Sequence, residues 1–389
     1  MNLKLSILLF VALLGFCGFS TNKSIEQQAE ATLKPYILKE AEWAMKQQPI
    51  TVTAESSERS AGDKHDFYSE GDYWWPNPDN PAGPYIQKDG LTNPQNFVAH
   101  RLAMIRFSRI IGALASAYKI THDEKYVKQA VLHLKAWFID KKTFMNPNLQ
   151  YAQAIKGVAT GRGIGIIDTI QLMEVAQGVE VLEGSSSLDQ GTLMGIKSWF
   201  SEYLTWLTTH QYGKDEMNAK NNHGTCWTMQ VACFAKFTGN SELMKFCADR
   251  YKDVLLPTQM AADGSFPLEL KRTKPYGYSI FNLDAMSTIC QILSTKNDNL
   301  WEYQTADGKS IKKGIAFLEP YLKDKNTWPY PHDVMHWESW PVAQPALIFG
   351  AAAYQDQNWL NIWKALDHDP NDEEIIRNLP VRHPLIWLN

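Results

Sequence analysis

The sequence lacks the excess of basic residues that nucleic-acid-binding proteins carry. It contains 38 Lys and Arg against 42 Asp and Glu, which gives a formal net charge of −4. A protein that binds the phosphate backbone needs a positively charged surface. The composition therefore argues against a nucleic-acid partner, while local basic clusters remain available to an acidic substrate.

Cysteine is scarce, and no CxxC pair occurs. Cys226 and Cys233 are seven residues apart, so on one helix they would share a face but lie too far apart to form a disulfide. We expect buried free thiols, with a disulfide in an oxidising compartment as the alternative. The cysteines downstream of the N-terminal segment are Cys226, Cys233, Cys247 and Cys290.

Metal and nucleotide motifs are missing as well. His332 and His336 are four residues apart in "WPYPHDVMHWESW", but there is no HExxH pattern and Pro331 suggests a loop. We expect no metal and no cofactor, and interpret His336 and Trp337 as side chains that line a cleft. The glycines of "GVATGRGIGIIDT" follow no strand and precede no GK[ST]. Arg162 within them is better interpreted as a cation presented by a loop.

The apolar run Leu5–Phe19 is too short to span a bilayer comfortably. With an early lysine before it, the run fits a secretory signal peptide over residues 1–20, cleaved near Gly18–Thr21. Phe16 stands where processing of a lipoprotein at Cys17 needs a small residue, so the sequence favours plain export over lipid anchoring. A retained signal anchor is the alternative. We expect a secreted or periplasmic protein without stable membrane insertion after cleavage.

Aromatic residues are plentiful, with 14 Trp, 16 Tyr and 16 Phe. Any single one belongs to the core by default, but flat aromatic faces also cover the C–H faces of sugar rings. The segment "YWWPNP" is rich in turn residues and would present Tyr73, Trp74 and Trp75 on a rigid loop. It either plugs one end of the fold or faces a sugar. We favour the sugar, because such a run is costly to leave exposed.

Strand patterns are weak, and helical periodicity dominates and comes in pairs. Residues 97–119 and 125–139 form one predicted pair, 228–256 contains another, and 24–47 forms an N-terminal helix. Such hairpins must stack to bury their apolar faces, either as an open solenoid or as a closed ring. Further pairs are predicted at 166–184 with 192–210, at 279–295 with 309–323 and at 341–355 with 358–366. The sequence therefore predicts an all-α fold, with one domain over residues 21–389.

Four long connections between these helices are rich in Trp, Pro, Gly and Asn. They cover residues 60–96, 141–165, 257–278 and 324–340. Long loops in a compact domain are usually functional. If they cluster on one side of the fold, they would build a cleft.

The segment "KNNHGT" at 220–225 precedes a strongly helical stretch. Asn221 or Asn222 would cap that helix, with His223 in its first turn. A helix N-terminus also offers free N–H groups and a positive dipole end. Asn can hydrogen-bond a carboxylate there, and His can act as acid or base near neutral pH. Capping and catalysis are both compatible with the segment.

A basic cluster precedes two tyrosines in "GSFPLELKRTKPYGYSIFNL" at 264–283. Lys271, Arg272 and Lys274 would either form a solvated turn or bind an anionic substrate. Tyr276 and Tyr278 would either pack or take part in chemistry. In the functional interpretation, the cations lower the pKa of a nearby tyrosine from its usual value of about 10.

Together, "NNH" at 221–223, "R-x5-YSxFNL" at 272–283 and the "YWWPNP" loop resemble the alginate lyase family of α/α-toroid polysaccharide lyases. The resemblance covers roughly residues 60–345. It implies an α/α toroid, an incomplete barrel of about six to seven helical hairpins. The arginine lies one residue closer to the tyrosine than in the familiar pattern, which indicates a divergent branch acting on uronate polymers. The catalytic group that the resemblance implies is Asn222, His223, Arg272 and Tyr278.

This family would cleave a 4-linked uronic-acid polymer, alginate before others, by β-elimination that leaves unsaturated uronate ends. Asn222, with Arg272 or His223, would neutralise the uronate carboxylate and stabilise the anion. Tyr278 would take the C5 proton and return one to the leaving oxygen, and His223 would be the base for the epimeric sugar. Tyr276 is a rival for the role of Tyr278. The predicted substrate-binding residues are Tyr73, Trp74, Trp75, Arg162, Asn221, Lys271, Tyr276, His336 and Trp337.

Other functions fit parts of the same sequence. A glucuronan lyase would use the same chemistry on another uronate. A glycoside hydrolase on an α/α toroid needs two carboxylates flanking the bond, for which Asp72, Glu269 and Glu338 are candidates. A glycan-binding protein would bind without turnover. Ultraviolet absorbance from an unsaturated product separates a lyase from the last two.

Overall fold

The computed structural model describes residues 23–388, which fold as helices in an inner and an outer layer. The predicted signal peptide at 1–20 and Cys17 lie outside the described residues. Within residues 23–388, no helix is both long and apolar enough to cross a membrane.

The α-helices are numbered here in chain order. They are α1 (Ile25–Ala44), α2 (Ala99–Thr121), α3 (Glu124–Phe138), α4 (Leu172–Leu182), α5 (Gln190–Thr209), α6 (Gln211–Met217), α7 (Asn222–Thr238), α8 (Ser241–Arg250), α9 (Leu256–Gln259), α10 (Pro267–Leu270), α11 (Pro275–Leu293), α12 (Ile311–Lys323), α13 (Pro345–Tyr354), α14 (Gln357–Ala365) and α15 (Glu373–Arg377).

The inner layer is a ring of helices in which each contacts the next. Helix α2 packs on α4, α4 on α7, α7 on α11 and α11 on α13, and α1 closes the ring by contacting α13 and α2. Helices α7 and α11 are buried on nearly every face, as helices enclosed by neighbours must be. The ring confirms the all-α toroid.

The outer layer consists of amphipathic helices that cover the ring. Helix α3 packs on α2, α5 on α3 and α7, α8 on α7, α12 on α11, and α14 on α13. In the described part of the chain, five inner helices are each followed along the sequence by an outer helix, against the expected six to seven hairpins, and α1 joins the ring without an outer helix before it. All five correspond to predicted pairs.

Three of the hairpins turn by the same local device. The inner helix ends in a residue with left-handed backbone, which stops the helix. The next residue is an Asp or Asn whose side chain accepts a hydrogen bond from the start of the outer helix. These pairs are His122–Asp123 (φ 55°), Gly239–Asn240 (φ 75°) and Gln355–Asp356 (φ 53°).

Aromatic side chains fill the space between the layers, as expected for most of them. Trp137, Trp227 and Trp363 are fully buried, and Trp137 stacks on Phe107 with ring centroids 4.7 Å apart. The predicted free thiols are confirmed, since Cys226, Cys233, Cys247 and Cys290 are all buried and unpaired. Burial raises the pKa of each thiol.

Two small sheets that the sequence did not predict order the long loops, one between two loops and one within the loop at 60–96. Strand β1 (Tyr68–Glu70) pairs in parallel with β4 (Tyr151–Ala154). Strand β2 (Trp74–Trp75) pairs antiparallel with β3 (Ile86–Gln87). The strands have two to four residues, too few for a two-residue periodicity to be visible in the sequence. They fix loops 60–96 and 141–165 beside the starts of α7 and α11.

Candidate active site

A cleft lies where the long loops meet the first turns of α7 and α11. The structure brings together on its wall all four residues that the resemblance named, although they are separated by up to 56 positions in the chain. The side chains with polar groups that line it are Asp72, Tyr73, Trp74, Gln87, Asp89, Gln153, Arg162, Asn222, His223, Arg272, Tyr278, Arg377 and Asn378.

The start of α7 is both a capped helix end and one wall of the cleft. Asn221 is the N-cap, and its side chain accepts a hydrogen bond from the His223 N–H. Asn222 follows, and its backbone N–H and its Nδ2 each donate to Glu269 over 2.8 Å. Burial raises the pKa of Glu269, against these hydrogen bonds. Because an amide has two N–H groups, the orientation set by Glu269 leaves Asn222 a donor for a ligand.

His223 is oriented by a buried carboxylate on α6. Its Nδ1 lies 2.7 Å from Oε1 of Glu216, whose side chain is fully buried. An ionised carboxylate only accepts, so in the neutral imidazole Nδ1 carries the proton and Nε2 keeps its lone pair. A histidine in this tautomer is suited to act as a general base.

Tyr278, on the first turn of α11, shares a hydrogen bond with Tyr73 across the cleft. Their hydroxyl oxygens are 2.7 Å apart, and the Arg272 guanidinium lies 4.6 Å from the centre of the Tyr278 ring. Burial raises the pKa of Tyr278 well above its ordinary value, and Arg272 lowers it by less. The predicted lowering of the pKa is therefore wrong for Tyr278, whose neutral hydroxyl is an acid at neutral pH.

Arg272 is paired with a carboxylate that the sequence did not point to. Its Nη2 donates to Oδ1 of Asp89 over 2.9 Å, and the Thr273 hydroxyl donates to the other oxygen over 3.0 Å. Burial disfavours ionisation of Asp89, but the hydrogen bonds from Arg272 and Thr273, together with the charges of Arg272 and Lys274, hold the pKa of this carboxyl below its usual value. Asp89 comes from a loop 183 residues away, so no local signal could have revealed the pair.

A buried ionic network lies behind the cleft. Asp72 accepts from Arg101 over 2.7 and 3.1 Å and pairs with Arg377 at 2.7 Å, and Asp168 lies 3.5 Å from Arg377. Burial alone would raise the pKa of Asp72, but Arg101 and Arg377 lower it to about 2. Arg377 belongs to α15, and neither it nor Asn378 stands in a motif that the sequence could have signalled.

The aromatic loop, which contains the "YWWPNP" segment, contributes two of its three predicted substrate-binding side chains to the cleft. Tyr73 and Trp74 line the cleft, and Trp74 also contacts the Arg162 guanidinium. Trp75 does not line it: its Nε1 donates to the Leu91 carbonyl, and Lys88 lies over its ring.

Several other predicted binding residues are placed away from the cleft wall. Lys271 is exposed outside it, and Tyr276 is fully buried with its hydroxyl donating to the Tyr321 carbonyl. Burial raises the pKa of Tyr276 as well. His336 lines a neighbouring pocket and its Nδ1 lies 3.0 Å from Asp372. Trp337 stacks on a histidine, with ring centroids 3.9 Å apart.

The candidate carboxylates of a glycoside hydrolase do not form a pair across the cleft. Asp72 is held by two arginines, and Glu269 lies beneath Asn222. Glu338 is 87% exposed and pairs with Lys325. The cleft instead presents an amide, an imidazole, a phenol and guanidinium groups, which suit an anionic substrate.

Comparison with known proteins gives similarities over most of the chain. A family model described as alginate lyase matches residues 51–328. The chain is 33% identical to an alginate lyase from Bacteroides ovatus of known crystal structure, with 94% of this chain and 96% of that chain covered and a TM-score of 0.80. A search of curated proteins finds no match.

More distant solved structures share the fold. Alginate lyase A1-III from Sphingomonas species A1 is 13% identical, with 84% of this chain and 89% of that chain covered and a TM-score of 0.55. A histidine-to-alanine variant of A1-III, described as complexed with a tetrasaccharide, has the same identity and TM-score, with 84% and 88% covered.

Proposed function

The chain belongs to the alginate lyase family of polysaccharide lyases, and on that premise we propose that it cleaves a 4-linked uronic-acid polymer, most directly alginate, by β-elimination. The observation that carries the proposal is the meeting of Asn222, His223, Arg272 and Tyr278 on one cleft wall. The relative solved with a tetrasaccharide supports an oligosaccharide as the class of ligand.

The chemical difficulty of this reaction is the proton on C5, which is not acidic while the neighbouring carboxylate keeps its charge. In our proposal, Asn222 donates a hydrogen bond to the carboxylate and a cation of the cleft neutralises it. The anion that forms when C5 loses its proton is then stabilised by groups already in position. The electron pair of the C5–H bond becomes the C4–C5 double bond, and the bond from C4 to the leaving oxygen breaks.

Two groups are placed to move protons in this scheme. Nε2 of His223 takes the C5 proton when that proton faces α7, and the neutral Tyr278 hydroxyl gives its proton to the leaving oxygen. For the epimeric sugar, the base is the minor phenolate form of Tyr278, which Arg272 beside its ring stabilises. The phenolate takes the C5 proton, and the hydroxyl that results gives this proton to the leaving oxygen. One cleft can thus act on both epimers.

Replacing a single hydroxyl tests the proposal. The protein is incubated with alginate, its mannuronate-rich and guluronate-rich fractions, and glucuronan, and the ultraviolet absorbance of the unsaturated product is recorded. Tyr278→Phe should lower kcat by at least about a hundredfold, the usual contribution of a general acid or base. Tyr276→Phe is the matched control, because it removes a hydroxyl on the same helix that lies outside the cleft, and it should retain activity.

The two enzymological outcomes that count against the proposal are distinct. If Tyr278→Phe forms the unsaturated product at the wild-type rate, Tyr278 has no role in the mechanism. Saturated reducing ends without ultraviolet absorbance in the wild type would replace β-elimination by hydrolysis. The panel also identifies the preferred uronate.

We further propose export to the periplasm or the cell exterior, where polysaccharide substrates occur. The support is the sequence of residues 1–20, with its early lysine and short apolar run. Detection of the mature chain without this segment in the extracytoplasmic fraction tests the proposal, and a full-length chain in the cytoplasm would contradict it.

A further inference from the structure

The arginines of the cleft differ in whether a carboxylate already neutralises them. Arg272 is paired with Asp89 at 2.9 Å, and Arg377 with Asp72 at 2.7 Å. Arg162 has no carboxylate within ion-pair distance among residues 23–388, and its partners are oxygens of an amide side chain and of the backbone. The uncompensated positive charge of the cleft therefore belongs to Arg162.

The surroundings of Arg162 hold its guanidinium in one place. Its Nε donates to the Gln153 carbonyl over 2.9 Å, and its Nη2 to the Gln153 side chain over 3.1 Å. Gln153 has a backbone φ of 48°, an uncommon value for a residue other than glycine. A Ser69 hydroxyl oxygen accepts from its N–H. This strained conformation turns both Gln153 oxygens onto the same guanidinium.

The opposite side of the guanidinium is equally confined. The ring centre of Trp74 lies 5.7 Å from it. Gly71 passes so close that an added Cβ would lie 2.8 Å from Nη2 of Arg162 and 2.7 Å from the Trp74 ring. Strain at Gln153 and the requirement for glycine at position 71 both serve to place one cation, which is the arrangement of a preorganised binding group.

Arg162 also keeps hydrogen-bonding capacity for a ligand. Its Nη1 makes no hydrogen bond within the described part of the chain. Burial lowers the pKa of Arg162, which reflects the cost of keeping a charge there without a carboxylate. A guanidinium nevertheless stays protonated in proteins, so an anion that enters the cleft is attracted to it.

We propose that Arg162, rather than Arg272, is the specificity-determining cation of the cleft and binds a carboxylate of the uronate substrate. This inference rests on the proposed function, because it assigns the substrate charge at the same cleft. Arg272, already neutralised by Asp89, acts on the Tyr278 ring.

The test compares Arg162→Gln with a matched arginine elsewhere. Arg106→Gln is the control, since Arg106 also donates to a glutamine side chain and a backbone carbonyl but lies outside the cleft. Binding of a uronate oligosaccharide is measured by titration calorimetry, and kcat and KM by ultraviolet absorbance. We expect Arg162→Gln to raise Kd and KM at least about tenfold, as for loss of a charge-assisted hydrogen bond. Arg106→Gln should leave both unchanged.

Two further measurements examine the role of charge. The Kd of the wild type should rise with ionic strength, and that of Arg162→Gln should rise less. Adding Asp89→Asn to Arg162→Gln frees the charge of Arg272 and should recover part of the lost affinity. If the double variant recovers no affinity, pairing with a carboxylate is not what makes Arg272 a weaker anion-binding group than Arg162.

Failure of this inference can be told apart from failure of the proposed function. An unchanged Kd in Arg162→Gln would overturn the inference even if the wild type forms unsaturated product. The converse result is a wild type that forms no unsaturated product and an Arg162→Gln variant that binds oligouronate more weakly. That result would support Arg162 as the carboxylate-binding residue and overturn the proposal of β-elimination.

Discussion

His223 depends on a residue to which the sequence gives no clue. Helix capping predicted where His223 lies, and Asn221 is indeed the cap. Which of its nitrogens can accept a proton is decided by Glu216, seven residues earlier on another helix. The prediction of a catalytic role stays a prediction, but the structure supplies the tautomer it requires.

Replacing Glu216 by glutamine should therefore impair chemistry more than binding. An amide donates as well as accepts, so it no longer fixes the proton on Nδ1. We expect kcat to fall by roughly a hundredfold, with little change in KM, and most strongly for the epimer whose C5 proton faces His223. The measurement is steady-state kinetics on mannuronate-rich and guluronate-rich polymers.

Glu180→Gln is the control for this substitution, because Glu180 is on α4 and pairs with Lys236 outside the cleft. An equal loss on both polymers, or a change in KM alone, would assign Glu216 to structure instead of to orientation of His223.

At the scale of secondary-structure elements, a buried carboxylate from a distant loop accepts hydrogen bonds from the first turn of α11. Asp333 accepts hydrogen bonds from the N–H groups of Tyr276 and Gly277 over 2.9 and 2.8 Å. A carboxylate at a helix N-terminus interacts favourably with the helix dipole. Burial nevertheless raises the pKa of Asp333 to about 6, against these hydrogen bonds. Asp333 thus sets the start of the helix that carries Tyr278.

The raised pKa predicts how stability depends on pH. The folded protein binds the Asp333 proton more tightly than the unfolded chain does. The stability that follows from this tighter proton binding is fully present below about pH 4. It is lost as pH rises through about 6. The free energy of unfolding of the wild type relative to Asp333→Asn should fall by up to about 3 kcal/mol over that window. Urea unfolding between pH 4 and pH 7 measures it.

The exposed Asp253→Asn variant controls for the substitution itself in the same series. A difference between wild type and Asp333→Asn that rises with pH would contradict the assignment, because it would mean that the ionised form is the stabilising one.

At the scale of the molecule, buried charges join segments at the cleft that are far apart in the sequence. The network of Asp72, Arg101 and Arg377 joins the aromatic loop, α2 and α15. A buried ion pair is weak evidence for added stability, but removing one member leaves the others uncompensated. The segment with Arg377 is in this way attached to the same cleft as the loop with Asp72, which lies 305 residues earlier in the chain.

Asp72→Asn should therefore destabilise the protein by about 3–5 kcal/mol at neutral pH, since two buried arginines lose their nearest carboxylate and keep only longer ion pairs to other carboxylates. Because Asp72 has its pKa lowered to about 2, its contribution is present above about pH 4 and is lost only as pH falls through about 2. Chemical unfolding at neutral and acidic pH checks both statements.

Glu338→Gln removes an exposed ion pair and should change stability by no more than about 1 kcal/mol. A similarly small effect of Asp72→Asn would mean that the network does not hold the loop to α15.

The family and the fold class were predictable, and both are confirmed: the chain is a polysaccharide lyase of the alginate lyase family with an all-α toroid. The single domain over residues 21–389 stays a prediction. The predicted hairpins agree with the observed ones because periodicity, left-handed stops and Asp or Asn caps act over a few residues. His122 followed by Asp123 stops one helix and starts the next wherever the pair is placed.

The sequence by itself determined the helices, their order and the helix start that carries Asn222 and His223, since all of these depend on neighbours along the chain. Only the tertiary structure decided which charges are neutralised. It paired Arg272 with Asp89, oriented His223 through Glu216 and, among the residues that the structure describes, left Arg162 without a paired carboxylate. Ion pairing acts over a few ångströms between residues far apart in sequence, so no local pattern records it. The sequence therefore identified which residue types are at the site, but not which role each residue has there.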